Sequence, residues 1–344
     1  MSPFEIPNLK FEITDFKSQI KNQKSQIYLM DGLLIIDKLA EWTSHDVVAR
    51  ARRVLRERRI GHTGTLDPFA TGVLVLLIGR ATRLAQFLSG AVKEYEATVR
   101  FGYATETGDL TGAAREEFRG GFSSCPAWQR DEIEAALDSL RGETEQVPPM
   151  YSAKKVQGQK LYELARQGIE IERQPVRVFV HELAAIENVD GSLLKQNADG
   201  TCDLKIRVVC SAGTYIRVLA EDLGARLGVG AHLAALRRTR AGAFGLAQSI
   251  TLDQLSGAAE IGKAGELLLS LEVALPEMPS AHLTIGQAQR ARHGAAVRVD
   301  EPGAFADGEQ VRLHDAEGQL IAIGVYDATN QQLRPRVMLL TEEK

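Results

Sequence analysis

The chain has 344 residues, of which 44% are hydrophobic and 25% are charged, and its formal net charge is −4. These values are typical of a globular protein with room for about two domains. No apolar run approaches the roughly 18 residues of a membrane span, and the N-terminal residues lack the apolar core of a secretory signal.

The cysteines and the charges give two further indications. Cys125, Cys202 and Cys210 are an odd set without a C-x-x-C pair, which argues against a disulfide framework and a zinc cluster and predicts reduced thiols in a cytoplasmic protein. The acidic net charge weakly disfavours a nucleic-acid partner. Residues 50–59, however, contain six arginines and a single acid, Glu57. Such a basic segment is either a solvated helix face or a phosphate-binding surface.

The first predicted elements follow a polar extension, residues 1–29, which we expect to be flexible. An apolar run from Asp31 to Asp37 predicts a strand, and apolar spacing predicts a helix over about 45–58 with Ser44 as its N-cap. The run from Val73 to Ile78 suits a buried strand, although a short helix would show the same pattern.

The central region alternates between strands and helices. Alternation predicts strands over Tyr95–Phe101 and around 204–210, and helical spacing predicts helices over about 128–140 and from Tyr215 to Leu227. Residues 147–158 are expected to form a loop with a basic tip. The pattern predicts an α+β fold, a mixed, largely antiparallel sheet flanked by helices, over residues 30–275.

Residues 276–344 form a second predicted unit after a proline-containing junction. A short helix is expected over Gln287–Arg292, and a hairpin is expected to pair Val311–Leu313 with Leu320–Tyr326.

The segment from Gly61 to Gly72 is rich in glycine and contains Asp67 directly before Pro68. A carboxylate on a loop that precedes a buried strand is held on a rigid base, and the proline restricts it to extended backbone. From these residues alone, Asp67 is either a catalytic carboxylate or an ordinary turn residue.

This segment resembles the catalytic motif G-x-L-D-P-x-A-x-G of the TruB-type tRNA pseudouridine-55 synthases, in which the aspartate is essential. Four further segments are similar to motifs of that family and occur in the family's order over residues 31–250. They are Lys93–Tyr95, Val147–Lys155 with Leu161–Arg166, Cys210–Arg217, and Ala231–Thr239. The family's early D-K-P motif reads Asp37-Lys38-Leu39 here, which loses a rigid turn but no chemical group.

The resemblance implies that the chain isomerises uridine to pseudouridine in the T stem-loop of tRNA, with Asp67 as catalytic residue and with no cofactor or metal. It implies that residues 276–344 form a PUA-like small β-barrel that binds RNA. A cytoplasmic monomer without an obligatory protein partner is expected. The implied substrate-binding residues are Lys38, His62, Tyr95, Lys154, Tyr215, Arg217 and Leu236.

The same resemblance assigns roles to these residues. Arg217 would pair with Asp67, Tyr95 would stack on a flipped-out uracil, and Tyr215 and Leu236 would wall the pocket. His62 would fill the space that the nucleotide leaves. Whether Asp67 attacks the sugar, attacks the uracil or removes a ribose proton stays open at this level.

Two other functions are suggested by parts of the sequence or by its expected enzyme class. The Gly61–Gly64 stretch matches the G-x-x-G loop of KH-type RNA-binding modules, but such a loop joins two helices and an apolar strand-like run follows here. A nucleotide-dependent enzyme is disfavoured because the sequence contains neither G-x-G-x-x-G nor G-K-[ST] in a suitable context.

Overall fold

The computed structural model describes residues 30–115, 126–152, 154–156, 158–298, 303 and 305–340, so the predicted extension 1–29 lies outside the described residues. The α-helices are α1 (Ser44–Leu55), α2 (Ala85–Leu88), α3 (Arg130–Asp138), α4 (Leu161–Ala165), α5 (Ile216–Arg226), α6 (Leu252–Glu260) and α7 (Ile285–Arg292). Short 3-10 helices span Gly79–Leu84, Leu246–Gln248, Ala264–Leu267 and Leu271–Ala274.

The strands are β1 (Gly32–Lys38), β2 (Ile60–His62), β3 (Thr71–Ile78), β4 (Lys93–Phe101), β5 (Gly142–Gln146), β6 (Lys155–Val156), β7 (Gln159–Lys160), β8 (Val176–Ile186), β9 (Leu194–Gln196), β10 (Cys202–Cys210), β11 (Ala231–Ala241), β12 (Phe244–Gly245), β13 (Ser280–His282), β14 (Val297–Arg298), β15 (Gln310–His314), β16 (Leu320–Asp327) and β17 (Gln332–Met338).

One large sheet positions the site. Its strand order is β1-β3-β11-β4-β10-β8-β5, and β2, β12 and β9 pair with β3, β11 and β10. Neighbouring strands run antiparallel except β3 and β11, which pair in parallel. The predicted mixed, largely antiparallel sheet with helices is therefore confirmed, and the run from Val73 to Ile78 is a strand.

The pattern of β4 shows how the sequence selects one face of this sheet. Every second residue from Lys93 to Phe101 is buried, including Tyr95, whereas Glu96 between them is exposed. Successive side chains of a strand point to opposite faces, so the alternation fixes Tyr95 on the covered face. In contrast, β3 is buried along almost its whole length, as expected for a strand covered on both faces.

Helix α1 begins one residue earlier than the sequence suggested. Its N-cap is Thr43, whose hydroxyl accepts a hydrogen bond from the amide of Asp46 at 3.0 Å, while the Asp46 carboxylate accepts from the Thr43 amide at 2.9 Å. This reciprocal pair is a capping box. The prediction of Ser44 as N-cap is wrong because the Ser44 hydroxyl is buried and bonded to the backbone of Leu66.

The C-terminal sheet has the order β13-β15-β16-β17-β14 and forms the PUA-like unit. The predicted hairpin is β15 paired with β16, and the predicted short helix is α7. Leu320, Ile323 and Leu339 of this unit share a buried cluster with Leu33 and Val75 of the large sheet. The two sheets thus pack through a common apolar core.

The cysteines differ from expectation. Cys202 is disulfide-bonded and Cys210 is a free, buried thiol. The prediction of three reduced cysteines is therefore wrong.

Candidate active site

The loop that carries Asp67 joins β2 to β3 and is clamped at the backbone. The ammonium group of Lys38 donates to the carbonyl of Pro68 at 3.1 Å and to the carbonyls of Leu39 and Trp42 at 2.9 and 2.7 Å. Lys38 is only 1% exposed, so its donors serve the backbone around the loop. Lys38 therefore holds the loop in place and is absent from the described lining of the cavity.

Asp67 and Arg217 form the central contact. Arg217 Nε lies 2.9 Å from Asp67 Oδ2, and its second terminal nitrogen lies 3.3 Å from Asp67 Oδ1, so the contact is bidentate. The Asp67 side chain is 32% exposed, whereas that of Arg217 is 5% exposed. Arg217 also donates to the carbonyls of Thr107 and Tyr151 at 2.8 and 2.7 Å. The arginine is a fixed support, and the carboxylate remains accessible.

Asp109 is a second carboxylate behind this pair. It is 4% exposed, and its Oδ2 lies 3.9 Å from Arg217 Nε. Its Oδ1 accepts from the hydroxyl of Thr107 at 2.8 Å and from the amide and hydroxyl of Thr111 at 2.9 and 2.6 Å. These bonds satisfy the buried carboxylate and fix it against the guanidinium.

The charges around Asp67 act on its pKa in opposite directions. Desolvation raises the pKa of Asp67 above that of a free aspartate, the charge of Arg217 opposes the rise, and Asp109 adds to it. Removing either neighbour should therefore move the pKa in a direction that can be measured.

The adjacent strands β4 and β11 contribute Tyr95 and Leu236 to the lining of a cavity. Tyr95 is buried, and desolvation raises the pKa of its phenol, while the charge of the nearby Arg238 guanidinium lowers it. Leu236 is 7% exposed and pairs across the strands with Ala97. Together they provide an aromatic and aliphatic wall of the kind that accepts a planar base.

Tyr215 is the N-cap of α5 and is fixed by Gln146. The Tyr215 amide donates to Gln146 Oε1 at 2.9 Å, and the Gln146 amide group donates back to the Tyr215 carbonyl at 3.3 Å. Burial raises the pKa of the Tyr215 phenol, and the charge of Arg217 opposes that rise. Tyr215 and Arg217, two residues apart at the start of α5, therefore line the same wall of the cavity described below.

A cavity of about 240 Å³ lies between these elements. Its described lining includes Asp67, Tyr95, Lys154, Tyr215, Arg217 and Leu236. It also includes Lys93 and Arg238, whose motifs the sequence displayed without indicating that these two side chains would be buried. Asp109 was missed as well, because it lies in a segment, residues 105–112, that carries none of the motifs used to identify the site.

His62 lies outside the described lining of this cavity. It is half-buried on β2, and its ring meets that of His45 edge to face with centroids 6.0 Å apart. Burial lowers the pKa of His62, and the charges of His45 and Arg238 lower it further. The Gly61–Gly64 stretch begins in a strand paired with β3, which excludes a KH loop between two helices.

The arginines of α1 divide into two groups. Arg52 donates to the carbonyl of Ile60 at 2.8 Å, and Arg50 donates to the hydroxyl of Ser256 at 3.3 Å. Arg53 on α1 and Arg56 at its C-cap are exposed, and within the described residues neither forms a side-chain hydrogen bond or an ion pair. These two are the better candidates for contact with phosphates.

Among the residues that the structure describes, no group of three or more histidine, cysteine or acidic side chains is arranged to hold a metal ion. No described helix is long and apolar enough to cross a membrane.

Comparison with known proteins gives consistent matches. Residues 52–216 match the N-terminal domain of TruB family pseudouridylate synthases, and residues 217–275 match the C-terminal domain of tRNA pseudouridylate synthase B. The chain is 38% identical to tRNA pseudouridine synthase B of Bacillus pumilus over 92% of this chain and 99% of that protein. It is 46% identical to the protein of that name from Thermobifida fusca over 86% of this chain and 94% of that protein.

Solved structures show the same architecture. A Cbf5–Nop10–Gar1 complex contains a chain that matches with a TM-score of 0.66 and 26% identity, covering 92% of this chain and 87% of that chain. A chain in an H/ACA ribonucleoprotein bound to a substrate RNA containing 2′-deoxyuridine matches with the same TM-score and 25% identity, covering 92% and 88%.

Proposed function

The chain belongs to the TruB family of pseudouridylate synthases and isomerises uridine to pseudouridine in tRNA, and we propose that its target is uridine 55 in the T stem-loop, with Asp67 as the catalytic residue. The observation that supports Asp67 is its bidentate contact with Arg217 on the wall of the 240 Å³ cavity. Around it, the residues that the family resemblance assigned to the substrate, except Lys38 and His62, line one cavity.

The chemistry suits a lone, oriented carboxylate. The bond from ribose to ring nitrogen 1 breaks, the uracil turns while bound, and ring carbon 5 is joined to the sugar, so no oxidant, reductant or group donor is consumed. Carboxylates commonly stabilise or trap the cationic sugar of such reactions, or act as the base. Arg217 keeps Asp67 oriented and favours its ionised form, which each of these roles requires.

The target base has to leave the RNA stack to enter a cavity of this kind. Tyr95 is then the stacking platform for the uracil. His62, on the strand that leads into the catalytic loop, is suited to occupy the vacated space because its partly buried imidazole is disfavoured from protonation and packs as an aromatic ring.

We assign RNA binding to three surfaces. Arg53 on α1, Arg56 at its C-cap and Lys154 at the cavity are suited to phosphates, which set register without reading sequence. The PUA-like unit, residues 276–344, adds a third surface, while residues 30–275 carry catalysis. We propose that the chain acts as a monomer in the cytoplasm, where its tRNA substrate is matured.

The test is to incubate the full chain with an unmodified tRNA transcript and to map pseudouridine at single-nucleotide resolution. A single modified position in the T loop is expected, and a transcript with cytidine at that position should remain unmodified. Modification elsewhere in tRNA would retain the isomerase and overturn the T-loop assignment. An absence of any pseudouridine with folded protein would overturn the activity.

A further inference from the structure

Two buried cations line the cavity on the side of Tyr95. Lys93 is 6% exposed and Arg238 is 2% exposed, and both lie in the described lining of the cavity. Lys93 is two residues from Tyr95 on β4, on the same face of the sheet, and Arg238 is opposite Tyr95 on β11. The side of the pocket that would receive the base thus carries two positive groups.

Neither cation has an acidic partner in the described part of the chain. The Lys93 ammonium donates to the carbonyls of Ser89 and Ala91, both at 2.6 Å. Arg238 donates through Nε to the carbonyl of Val73 at 2.7 Å and through a terminal nitrogen to that of Gly64 at 3.1 Å. Carbonyls fix the orientation of these groups but leave their charges uncompensated. Buried charges in proteins are normally paired, so an uncompensated pair requires an explanation.

The sugar side of the cavity has the opposite arrangement. There the single guanidinium of Arg217 faces two carboxylates, Asp67 and Asp109, at 2.9 and 3.9 Å. The pocket is therefore polarised, with negative groups where Asp67 meets the ribose and positive groups where Tyr95 meets the base. Such a field favours a reaction that separates charge in that direction.

We propose that Lys93 and Arg238 stabilise the negative charge that the uracil carries between cleavage from the ribose and formation of the new carbon–carbon bond. This inference rests on the proposed function. When the bond from ribose carbon 1 to uracil nitrogen 1 breaks, the electron pair stays with the base, which becomes an anion. The new bond uses an electron pair of the ring at carbon 5. The proton on carbon 5 then leaves and nitrogen 1 gains a proton, so the isomerisation is balanced without a co-reactant.

The two residues act differently. Lys93 faces the cavity directly and is the residue assigned to the base. Arg238 contributes its charge from its position opposite Tyr95 on β11, where that charge also lowers the pKa of the Tyr95 phenol. It also ties β3 to the catalytic loop through Val73 and Gly64, so its removal would disturb the fold. Lys93 is therefore the better residue for a test.

The ionisation of Lys93 provides a signature. Burial, together with the charge of the neighbouring Arg238, lowers the pKa of Lys93 to about 8. Burial raises the pKa of the facing Cys210 thiol to about 11, so that thiol stays neutral. The phenol of Tyr95, on the same strand, also has a raised pKa. Lys93 is thus cationic below pH 8 and loses its charge above it.

The experiment compares single-turnover rates of wild type, Lys93→Met and Lys93→Arg on RNA stem-loops with uridine or 5-fluorouridine at the target position. Fluorine withdraws electrons and stabilises the uracil anion without help from the protein. Lys93→Met should lose about 10²-fold with uridine, the typical effect of removing one preorganised group, and a clearly smaller factor when consumption of 5-fluorouridine is followed. Lys205→Met is the control and should behave as wild type, because Lys205 is an exposed lysine of β10 on the face of the sheet away from Lys93.

The pH profile gives an independent readout. The wild-type rate should fall as pH rises through about 8, and Lys93→Arg should retain the rate and move that fall to higher pH. Equal losses by Lys93→Met on both substrates would overturn the proposal. If Lys93→Met does not fold, an unchanged alkaline fall in Lys93→Arg would overturn it instead. Inactive wild type would refute the proposed function, whereas an active wild type with unaffected Lys93 variants would refute only this inference.

Discussion

The guanidinium of Arg217 holds both carboxylate oxygens of Asp67, at 2.9 Å and 3.3 Å. A charged fork of this kind fixes the direction as well as the ionisation of its partner. Because Arg217 is buried and also bonded to two backbone carbonyls, it cannot follow the carboxylate if the loop shifts. The reactive oxygen is thereby placed by the sheet and by α5 rather than by the loop alone.

Replacing Asp67 with Asn keeps the size of the side chain and removes its charge. Turnover of tRNA should fall by several orders of magnitude, because every role open to Asp67 needs a carboxylate, whereas tRNA affinity should change little. Single-turnover kinetics and filter binding measure the two quantities. Appreciable turnover by a homogeneous Asn variant would remove Asp67 from the mechanism.

Asp109 should act on the rate and on its pH dependence. Asp109→Asn removes a negative charge that raises the pKa of Asp67, so the acid limb of kcat/KM should move to lower pH. The rate at neutral pH should nevertheless fall by about tenfold or more, because Arg217 loses its second anionic support. Asp203→Asn, on the opposite face of the sheet, is the matched control. An acid limb at the wild-type pH would show that the charge of Asp109 does not affect the pKa of Asp67.

The sequence predicts those residues of the site that lie within contiguous family-like motifs. The family resemblance predicted Asp67, Arg217 and Tyr95 as site residues, and in the structure all three line one cavity. What sequence could not show is the direction of a long side chain. Lys38, at the end of a strand, looks like a substrate contact, yet it turns inward to carbonyls that only the folded loop supplies.

In the fold, too, the sequence predicts elements that depend on local pattern and misses those that depend on contacts between distant residues. Strand β4 and helix α5 follow from their own patterns. The sequence did not indicate β8 as a strand, because its exposed face carries Phe179 as well as charged residues, which obscures the alternation. Ser44 has the composition of an N-cap but bonds to Leu66, 22 positions away. Tertiary contacts of this kind override local preference.

The exposed Arg53 of α1 and Arg56 at its C-cap should control the salt dependence of binding. Each phosphate that a cation neutralises releases counterions, so affinity falls with salt in proportion to the number of such contacts. Replacing Arg53 and Arg56 with Gln should flatten the slope of log Kd against log salt by about one to two. Arg52 should be left intact, since its bond to Ile60 supports the fold. A slope equal to that of wild type would mean that α1 faces away from the RNA.

Removal of the C-terminal unit should reduce stability as well as tRNA binding. Leu339 is fully buried in the core that also contains Leu33 and Val75, so a chain that ends near residue 278 exposes apolar surface of the large sheet. Leu339→Ala alone should cost about 2–5 kcal/mol of unfolding free energy, measured by urea denaturation. The truncated chain should unfold at lower temperature than wild type. Equal unfolding temperatures would show that this shared core contributes nothing to stability.

Tyr95 combines two functions that a pair of variants can separate. Its ring can stack on the uracil, an interaction worth roughly 1–3 kcal/mol for base–aromatic contacts. Its phenol can relay the proton that leaves ring carbon 5 after the new bond forms, taking it up directly or through a water while it passes its own proton on towards ring nitrogen 1. Burial raises the pKa of this phenol, which disfavours a resting phenolate, while Arg238 works in the opposite direction. The phenol is therefore expected to be protonated at rest and to depend on Arg238 when it exchanges a proton.

Tyr95→Phe should bind tRNA nearly as well as wild type but complete the isomerisation very slowly, because the ring remains and the oxygen is lost. Tyr95→Leu should lose both affinity and turnover. Release of tritium from carbon 5 of the target uridine under single-turnover conditions measures the proton step, and equilibrium binding measures the stacking. Wild-type tritium release by Tyr95→Phe would leave only the stacking role. Near-normal behaviour of Tyr95→Leu as well would show that the aromatic wall of the cavity is not where the uracil binds.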